Sequence, residues 1–298
     1  MPEKKKPAKG GLPRAEIGVI GGSGIYRLDG LRARREVTVK TPFGAPSGAF
    51  TLGELDGTRV AFLPRHGQGH LLNPSELPQR ANIWAFKALG VKTLLSVSAV
   101  GSLKEELAPG CFVFPDQLVD RTAGRPGTFF DRGVVAHVDF SRPFCDSLSD
   151  RLYSLAETLG IACRRGGTLV CMEGPAFSTK AESEFHRRMG YSLIGMTACP
   201  EAKLAREAGL CYAPISMVTD YDVWKENEQV TAGKVLEIMS RNSEQAGKLL
   251  ARAIPEIAKT HTGCACRAAL KGASPTDRKL IPAAAKKRLA LFLGELQA

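Results

Sequence analysis

No run in this 298-residue chain approaches the roughly 18 consecutive apolar residues of a membrane-spanning helix. The Lys-rich opening, Met1 to Arg14, has no apolar stretch behind it and so lacks the plan of a secretory leader. A cytoplasmic protein with no membrane role is expected. Histidine is scarce, at five residues, and the eight cysteines include no C-x-x-C pair, so sequence spacing gives a zinc site little support and no metal is expected. Neither a G-x-G-x-x-G fingerprint nor a phosphate loop with its Lys is present, which argues against a nucleotide kinase or a standard dinucleotide site. Residues 15–266 contain no internal repeat and no low-complexity linker. A basic face is missing as well. The formal charge is +11, but residues 1–14 carry +4 of it and residues 267–298 carry +5, leaving a nearly neutral body. A nucleic-acid surface would run along structured elements with interleaved aromatics. Solvated basic ends are expected instead, with no specific nucleic-acid partner.

What the chain does have is an ordinary globular balance, 44% hydrophobic and 24% charged, and a regular alternation of strand and helix signals. Ile17 to Ile20 reads as a short buried strand, Val60 to Leu63 as a second and Val91 to Val97 as a third. Thr168 to Met172, Leu193 to Met196 and Leu210 to Val218 follow. Between them Arg80 to Leu89, Ser147 to Leu159 and Pro200 to Ala208 have helical spacing, each followed by Gly. Thr231 is placed to cap a long helix that includes Val235 and Leu250. The pattern predicts one α/β domain over residues 15–266, with helices flanking a mixed, mostly parallel sheet in three α/β/α layers. A basic tail, 1–14, precedes it, and a basic loop with a terminal helix, 267–298, follows.

Ligands of open α/β sheets bind beyond the carboxyl ends of the strands. Ser23 lies in a glycine loop after the first strand, Arg65 and His66 follow the second, and Ser98 and Ala99 begin a small-residue segment after the third. Thr197 follows the strand ending at Met196. Arg carries a fork of donors matched to phosphate oxygens, and hydroxyls and backbone N–H groups also suit an anion. Each of these alone is an ordinary turn or capped strand end. Four together favour bound phosphate. After Val218 come Thr219, Asp220, Tyr221 and Asp222, whose two carboxylates lie on one side of an extended segment. Like charges repel, so the acids suit a second, uncharged ligand part that offers N–H donors, such as an amino-purine. A partly buried Asp that stays protonated could act as a general acid.

These pieces, in this order, resemble the methylthioadenosine phosphorylase branch of the trimeric purine nucleoside phosphorylase family. The resemblance is carried by Ile17 to Gly24, Thr41 to Gly44, Leu63 to Gly67, Arg80 to Trp84, Ser98 to Ser102 and Asp120 to Thr122. Glu173 to Ser178, Gly195 to Thr197 with Pro200 and Glu201, and Thr219 to Asp222 with Trp224 to Glu226 complete it. It spans about residues 15 to 270 and implies the phosphorylase fold. It further implies a phosphate pocket of Ser23, Arg65, His66, Ser98, Ala99 and Thr197, and ribose contact by Met196. Asp220 near N7 would be the catalytic acid, Asp222 would hold the 6-amino group, and Tyr221 lies between them. Phe177 would pack on the base. His137 would come from a neighbouring subunit of a homotrimer to cover the 5′ substituent.

Relatives that act on 6-oxopurine nucleosides carry Glu where this chain has Ser178, and Asn where it has Asp220. Ser178 and Asp220 therefore imply adenine, and Ala232 with Val235 implies a small apolar 5′ pocket for a methylthio group. Gln79 replaces a Tyr common in the family. The expected reaction is reversible phosphorolysis of methylthioadenosine in purine and methionine salvage, with inorganic phosphate as co-substrate and no cofactor. A phosphorylase for 6-oxopurine nucleosides or methylthioinosine is the nearest alternative, and a non-enzymatic binding protein the more distant one. Cys264 and Cys266 recur in the family, where some heat-stable members have disulfides. Cys145 and Cys211 match a bridged pair in such relatives, which admits a disulfide without requiring one.

Overall fold

The structure, a computed structural model, describes residues 12–22, 30–225 and 232–296, with the side chains of 232–236 outside that description. The elements in chain order begin with β1 (Ile17–Gly21), β2 (Arg32–Val37), β3 (Phe50–Leu55), β4 (Thr58–Pro64), α1 (Gln79–Ala88) and β5 (Thr93–Ser102). Next come β6 (Phe112–Phe114), β7 (Gln117–Arg121), α2 (Asp146–Thr158), β8 (Cys163–Arg165), β9 (Thr168–Met172) and α3 (Lys180–Arg188). The chain finishes with β10 (Leu193–Gly195), α4 (Ala198–Glu207), β11 (Cys211–Asp220), α5 (Ala232–Thr260), α6 (Ala283–Arg288) and α7 (Ala290–Leu296).

The eleven strands among the described residues join one sheet, ordered β2-β3-β4-β1-β5-β10-β9-β7, with β11 on β5 and β6, and β8 on β6. β1 pairs in parallel with β4 and β5, and β11 runs parallel to β5. The β2–β3–β4 edge and the β5–β10 contact are antiparallel. The central strands are apolar on both faces because helices cover both. Ile17, Val19, Leu95 and Val97 pack with α2 and α5 on one side. Ile20, Leu63 and Leu94 pack with α1, α4 and the C-terminal helices on the other. The fold is the three-layer α/β/α domain expected from the strand–helix alternation.

Two local expectations change. The segment Ser98 to Ser102 is not a loop: β5 continues through it, because Ser98 to Gly101 pair with β11 and Ser102 pairs with Leu193 of β10. The C-terminal segment is not a solvated tail or a single helix. Two short helices, α6 and α7, pack on the α1/α4 side, and Phe292 is fully buried against Phe129 at a ring distance of 4.7 Å. Its basic residues stay outward while its apolar ones complete the core.

Candidate active site

The carboxyl ends of β1, β4, β5, β10 and β11 open onto a cavity of about 630 Å³. Gly22, Arg65, Ser98, Met196, Thr197 and Asp220 are among its walls. The parallel register of β1 with its two neighbours brings these distant segments to one level. Gly22 is required there: a Cβ would lie 2.7 Å from Arg65 Nη1 and 2.8 Å from the Val97 carbonyl.

Arg65 has no solvent exposure, and its fork does not point free into the cavity. Nε donates to Glu201 Oε2 at 2.8 Å and Nη2 to Glu201 Oε1 at 3.1 Å. Nη2 also donates to Ser96 Oγ at 2.7 Å, while Nη1 donates to the Val97 carbonyl and to Ser98 Oγ, each at 3.1 Å. All five N–H groups are therefore taken up by the protein. Burial works against the Arg65 charge, but Glu201 outweighs it and raises the pKa above the ordinary Arg value. Arg65 thus contributes a fixed positive charge, and it orients Ser98. Having accepted from Arg65, the Ser98 hydroxyl keeps its own hydrogen for an anion in the cavity.

Thr197 directly precedes α4, whose backbone is interrupted by the extended Cys199 (φ −109°, ψ 137°) before the regular helix begins, and it lies on the cavity wall. Gln79 Nε2 donates to the Thr197 carbonyl at 3.3 Å and fixes this corner from α1. His66 Nδ1 lies 2.8 Å from the Leu72 carbonyl, so Nδ1 carries the proton and Nε2 is an acceptor. Burial is the main reason its pKa falls to about 4, and the ring is neutral at physiological pH. It stacks on His70 at 4.2 Å.

The two acids meet at the far wall. β11 ends at Asp220, and Asp222 adopts a left-handed backbone, φ 54°, which turns it back toward the same cavity. Asp220 Oδ2 accepts from Thr219 Oγ1 at 2.7 Å, and Oδ1 accepts from the Asp222 N–H at 2.8 Å. Burial nevertheless raises the Asp220 pKa, the two hydrogen bonds offsetting only part of it. Asp222 is buried, and its Oδ2 has no donor among the described residues. A buried carboxylate oxygen left unpaired is costly, and a ligand N–H in the cavity would satisfy it.

Of the other expected residues, Ala99 and Met196 line the cavity and Phe177 is an exposed wall at its mouth. Ser178 stands behind Met172, its hydroxyl 3.7 Å from that sulfur, rather than on the cavity surface. Tyr221 turns away: its hydroxyl donates to the Glu105 carbonyl at 3.1 Å and its ring meets Trp224. His137 is exposed and outside this chain's cavity. Ser23 and Thr231 lie outside the described residues, as do the side chains of Ala232 and Val235.

Sequence reasoning missed the supports. Arg125 donates to the carbonyls of Met196 at 2.7 Å and Cys199 at 3.0 Å while paired with Glu173 at 3.1 Å, so it holds the Met196–Thr197 wall in place. In the sequence Glu201 counts only among the residues that carry the family resemblance. Nothing local ties either residue to a partner some 50 to 136 positions away.

Comparison with known proteins agrees with this geometry. Residues 16–255 match the model of the phosphorylase superfamily. The chain is 58% identical to the S-methyl-5'-thioadenosine phosphorylase of Chloroflexus aurantiacus, over 94% of this chain and 98% of the relative. It is 51% identical to that of Geobacter sulfurreducens, over 93% and 98%. Among solved structures, a methylthioadenosine phosphorylase from an antarctic soil metagenomic library superposes with a TM-score of 0.90 at 46% identity, covering 94% of this chain and 99% of that one. A variant of the Schistosoma mansoni adenosine/methylthioadenosine phosphorylase, in complex with methylthioadenosine, gives 0.78 at 34%, covering 95% and 98%.

Proposed function

The chain belongs to the S-methyl-5'-thioadenosine phosphorylases of the phosphorylase superfamily, and on that premise we propose that it catalyses the reversible phosphorolysis of S-methyl-5'-thioadenosine. The products are adenine and 5-methylthioribose 1-phosphate, and the enzyme is a pentosyltransferase of purine and methionine salvage. One observation carries the reading: a single cavity joins an anion-favouring wall to a pair of carboxyl groups, one partly buried and one buried. Ser98 and Thr197, beside the Arg65 charge, form the first. Asp220 and Asp222 form the second.

Phosphate bound at the first wall lies under C1′ of the sugar. The C1′–N9 bond stretches, the sugar becomes oxocarbenium-like, and the phosphate dianion offsets its charge. The C1′–O bond to phosphate then forms with inversion. The neutral His66 ring, with Nε2 as acceptor, takes a hydrogen bond from the phosphate hydroxyl and turns an ionised oxygen toward C1′. Asp220, its pKa raised by burial, donates a proton to N7 so that adenine leaves neutral. Asp222 Oδ2 accepts from the 6-amino group, which a 6-oxopurine lacks. Met196 meets the ribose hydroxyls, Phe177 packs on the base, and Ser178, behind Met172, keeps that wall small.

The proposal includes a homotrimer in which His137 serves the neighbouring subunit's cavity; its exposure away from its own supports this. It also includes a cytoplasmic location, Ala232 at the 5′ pocket, Ser23 at the phosphate and a reaction that needs no metal or organic cofactor. No helix among the described residues is long and apolar enough to cross a membrane. Initial rates on methylthioadenosine, adenosine and inosine, compared in one phosphate buffer, test the substrate assignment. Methylthioadenosine should be cleaved fastest, and a preference for inosine would overturn it.

A further inference from the structure

Four of the eight cysteines meet at one point far from the cavity. Cys145 is the N-cap residue of α2, Cys211 opens β11, and Cys264 and Cys266 lie in the turn after α5. Their Sγ atoms all lie within 4.8 Å of one another, and Cys145 and Cys264 are 3.6 Å apart. Cys145, Cys211 and Cys266 are buried and Cys264 is half-buried. All are free thiols.

We propose that Cys145, Cys211, Cys264 and Cys266 form a structural tetrathiolate site for one zinc ion. A zinc ion bound by four thiolates at about 2.3 Å needs sulfurs about 3.8 Å apart, the edge of a tetrahedron of that radius. The observed spacings bracket that edge. They are too short for the sulfur cage of a polynuclear iron cluster. Thiolate ligands select a soft or borderline cation over calcium or magnesium. The surroundings suit the double negative charge of such a site. Arg206 Nη1 donates toward Cys266 Sγ at 3.7 Å, and His261 Nε2 lies 3.7 Å from Cys145 Sγ. The N-terminus of α2 and the Ser147 hydroxyl, 3.6 Å away, also face Cys145. Each Zn–S bond replaces an S–H bond, and the displaced protons leave to solvent, so formation is favoured as pH rises.

The ion would bind together three segments that lie between positions 145 and 266 of the chain. β11 runs ten residues from Cys211 to Asp220, about 30 Å at strand rise, so the site stands well away from the reacting atoms. Its role is in holding the fold, not in the reaction, and it stands or falls independently of the assigned substrate. Sequence spacing gave no sign of it because only Cys264 and Cys266 are near neighbours.

The full-length protein, purified without chelator under reducing conditions and supplied with zinc, should retain one zinc per chain after gel filtration. Cobalt in place of zinc should give the thiolate-to-metal charge-transfer and tetrahedral d–d bands of a four-sulfur site. Cys264→Ser should weaken metal binding beyond the roughly 10–100-fold cost of losing an outer partner, with kcat/KM unchanged. Should that variant fail to fold, the cobalt spectrum of the unmodified protein decides. Far less than one zinc per chain, with all four thiols titratable, would overturn the proposal. So would a mass lower by four hydrogens, the mark of two disulfides.

Discussion

Arg65 and Glu201 form a bidentate ion pair with side-chain exposures of 0% and 1%, at the floor of the cavity and 136 residues apart in the chain. Glu201 also accepts from Ser96 and from Tyr212, each at 2.8 Å. Removing one partner of a buried pair strands the other charge, at a cost of about 3–5 kcal/mol. Glu201→Gln should therefore lower the unfolding free energy by about 3 kcal/mol or more in urea titrations. A loss below about 1 kcal/mol would mean that solvent reaches the guanidinium. Arg65→Met with Glu201→Gln should regain much of that stability while leaving phosphorolysis impaired, which separates folding from phosphate binding.

Asp220 is the proposed proton donor, held with a raised pKa chiefly by burial. Asp220→Asn should reduce kcat on methylthioadenosine by roughly 10²–10⁴-fold. The protonated form is the active one, so kcat/KM of the unmodified enzyme should fall as pH rises through the raised pKa. The Asn variant should lack that limb. Steady-state rates across pH check both.

Asp222 presents a buried oxygen with no donor among the described residues. Replacing a charge-assisted hydrogen bond to the 6-amino group by a neutral one loses about 1.4 kcal/mol, a tenfold change. Asp222→Asn should thus raise KM for methylthioadenosine about tenfold, and the ratio of inosine to methylthioadenosine cleavage should rise because an amide can donate to a 6-oxo group. An unchanged ratio would remove Asp222 from base selection.

Glu207 is buried, accepting from Thr128 Oγ1 at 2.6 Å and the Phe129 N–H at 2.7 Å, and burial pushes its pKa up to about 7. The folded state therefore holds a proton that the unfolded chain has released above its ordinary value of 4.5. Its contribution to stability is complete below 4.5 and is lost as pH rises through 7. His66 acts in the opposite sense: with its pKa lowered from 6.5 to about 4, stability declines as pH falls across that window. Glu207→Gln should flatten the decline in thermal midpoint between pH 4.5 and 7, with the Gln oxygen accepting from Phe129 and its amide donating to Thr128.

How much of this could be read in advance follows the range of each interaction. The α/β class, α1, α2, β9, β10 and the cavity positions of Arg65, Ser98, Thr197, Asp220 and Asp222 were legible because apolar periodicity, terminal glycines and strand-end position are local signals. Helix α3 was legible too but overlooked: Thr179 and Glu182 form a capping box. The continuation of β5 past Val97 was hidden, because small residues resemble a loop until β10 and β11 are present to pair with them. The Arg65 fork read as a phosphate clamp because its partner, Glu201, is set by tertiary packing. The packing of Phe292 was invisible for the same reason, whereas of the four-cysteine meeting the resemblance implied only the Cys145–Cys211 approach and not the convergence of both pairs.

The central claim is that phosphate, not water, takes the sugar. Adenine release from methylthioadenosine should be measured with and without inorganic phosphate, after removing phosphate carried over in purification. Release should depend on phosphate, saturate with it, and yield 5-methylthioribose 1-phosphate in equal amount to adenine. Adenine released at the same rate without phosphate, with free methylthioribose as the product, would contradict the account.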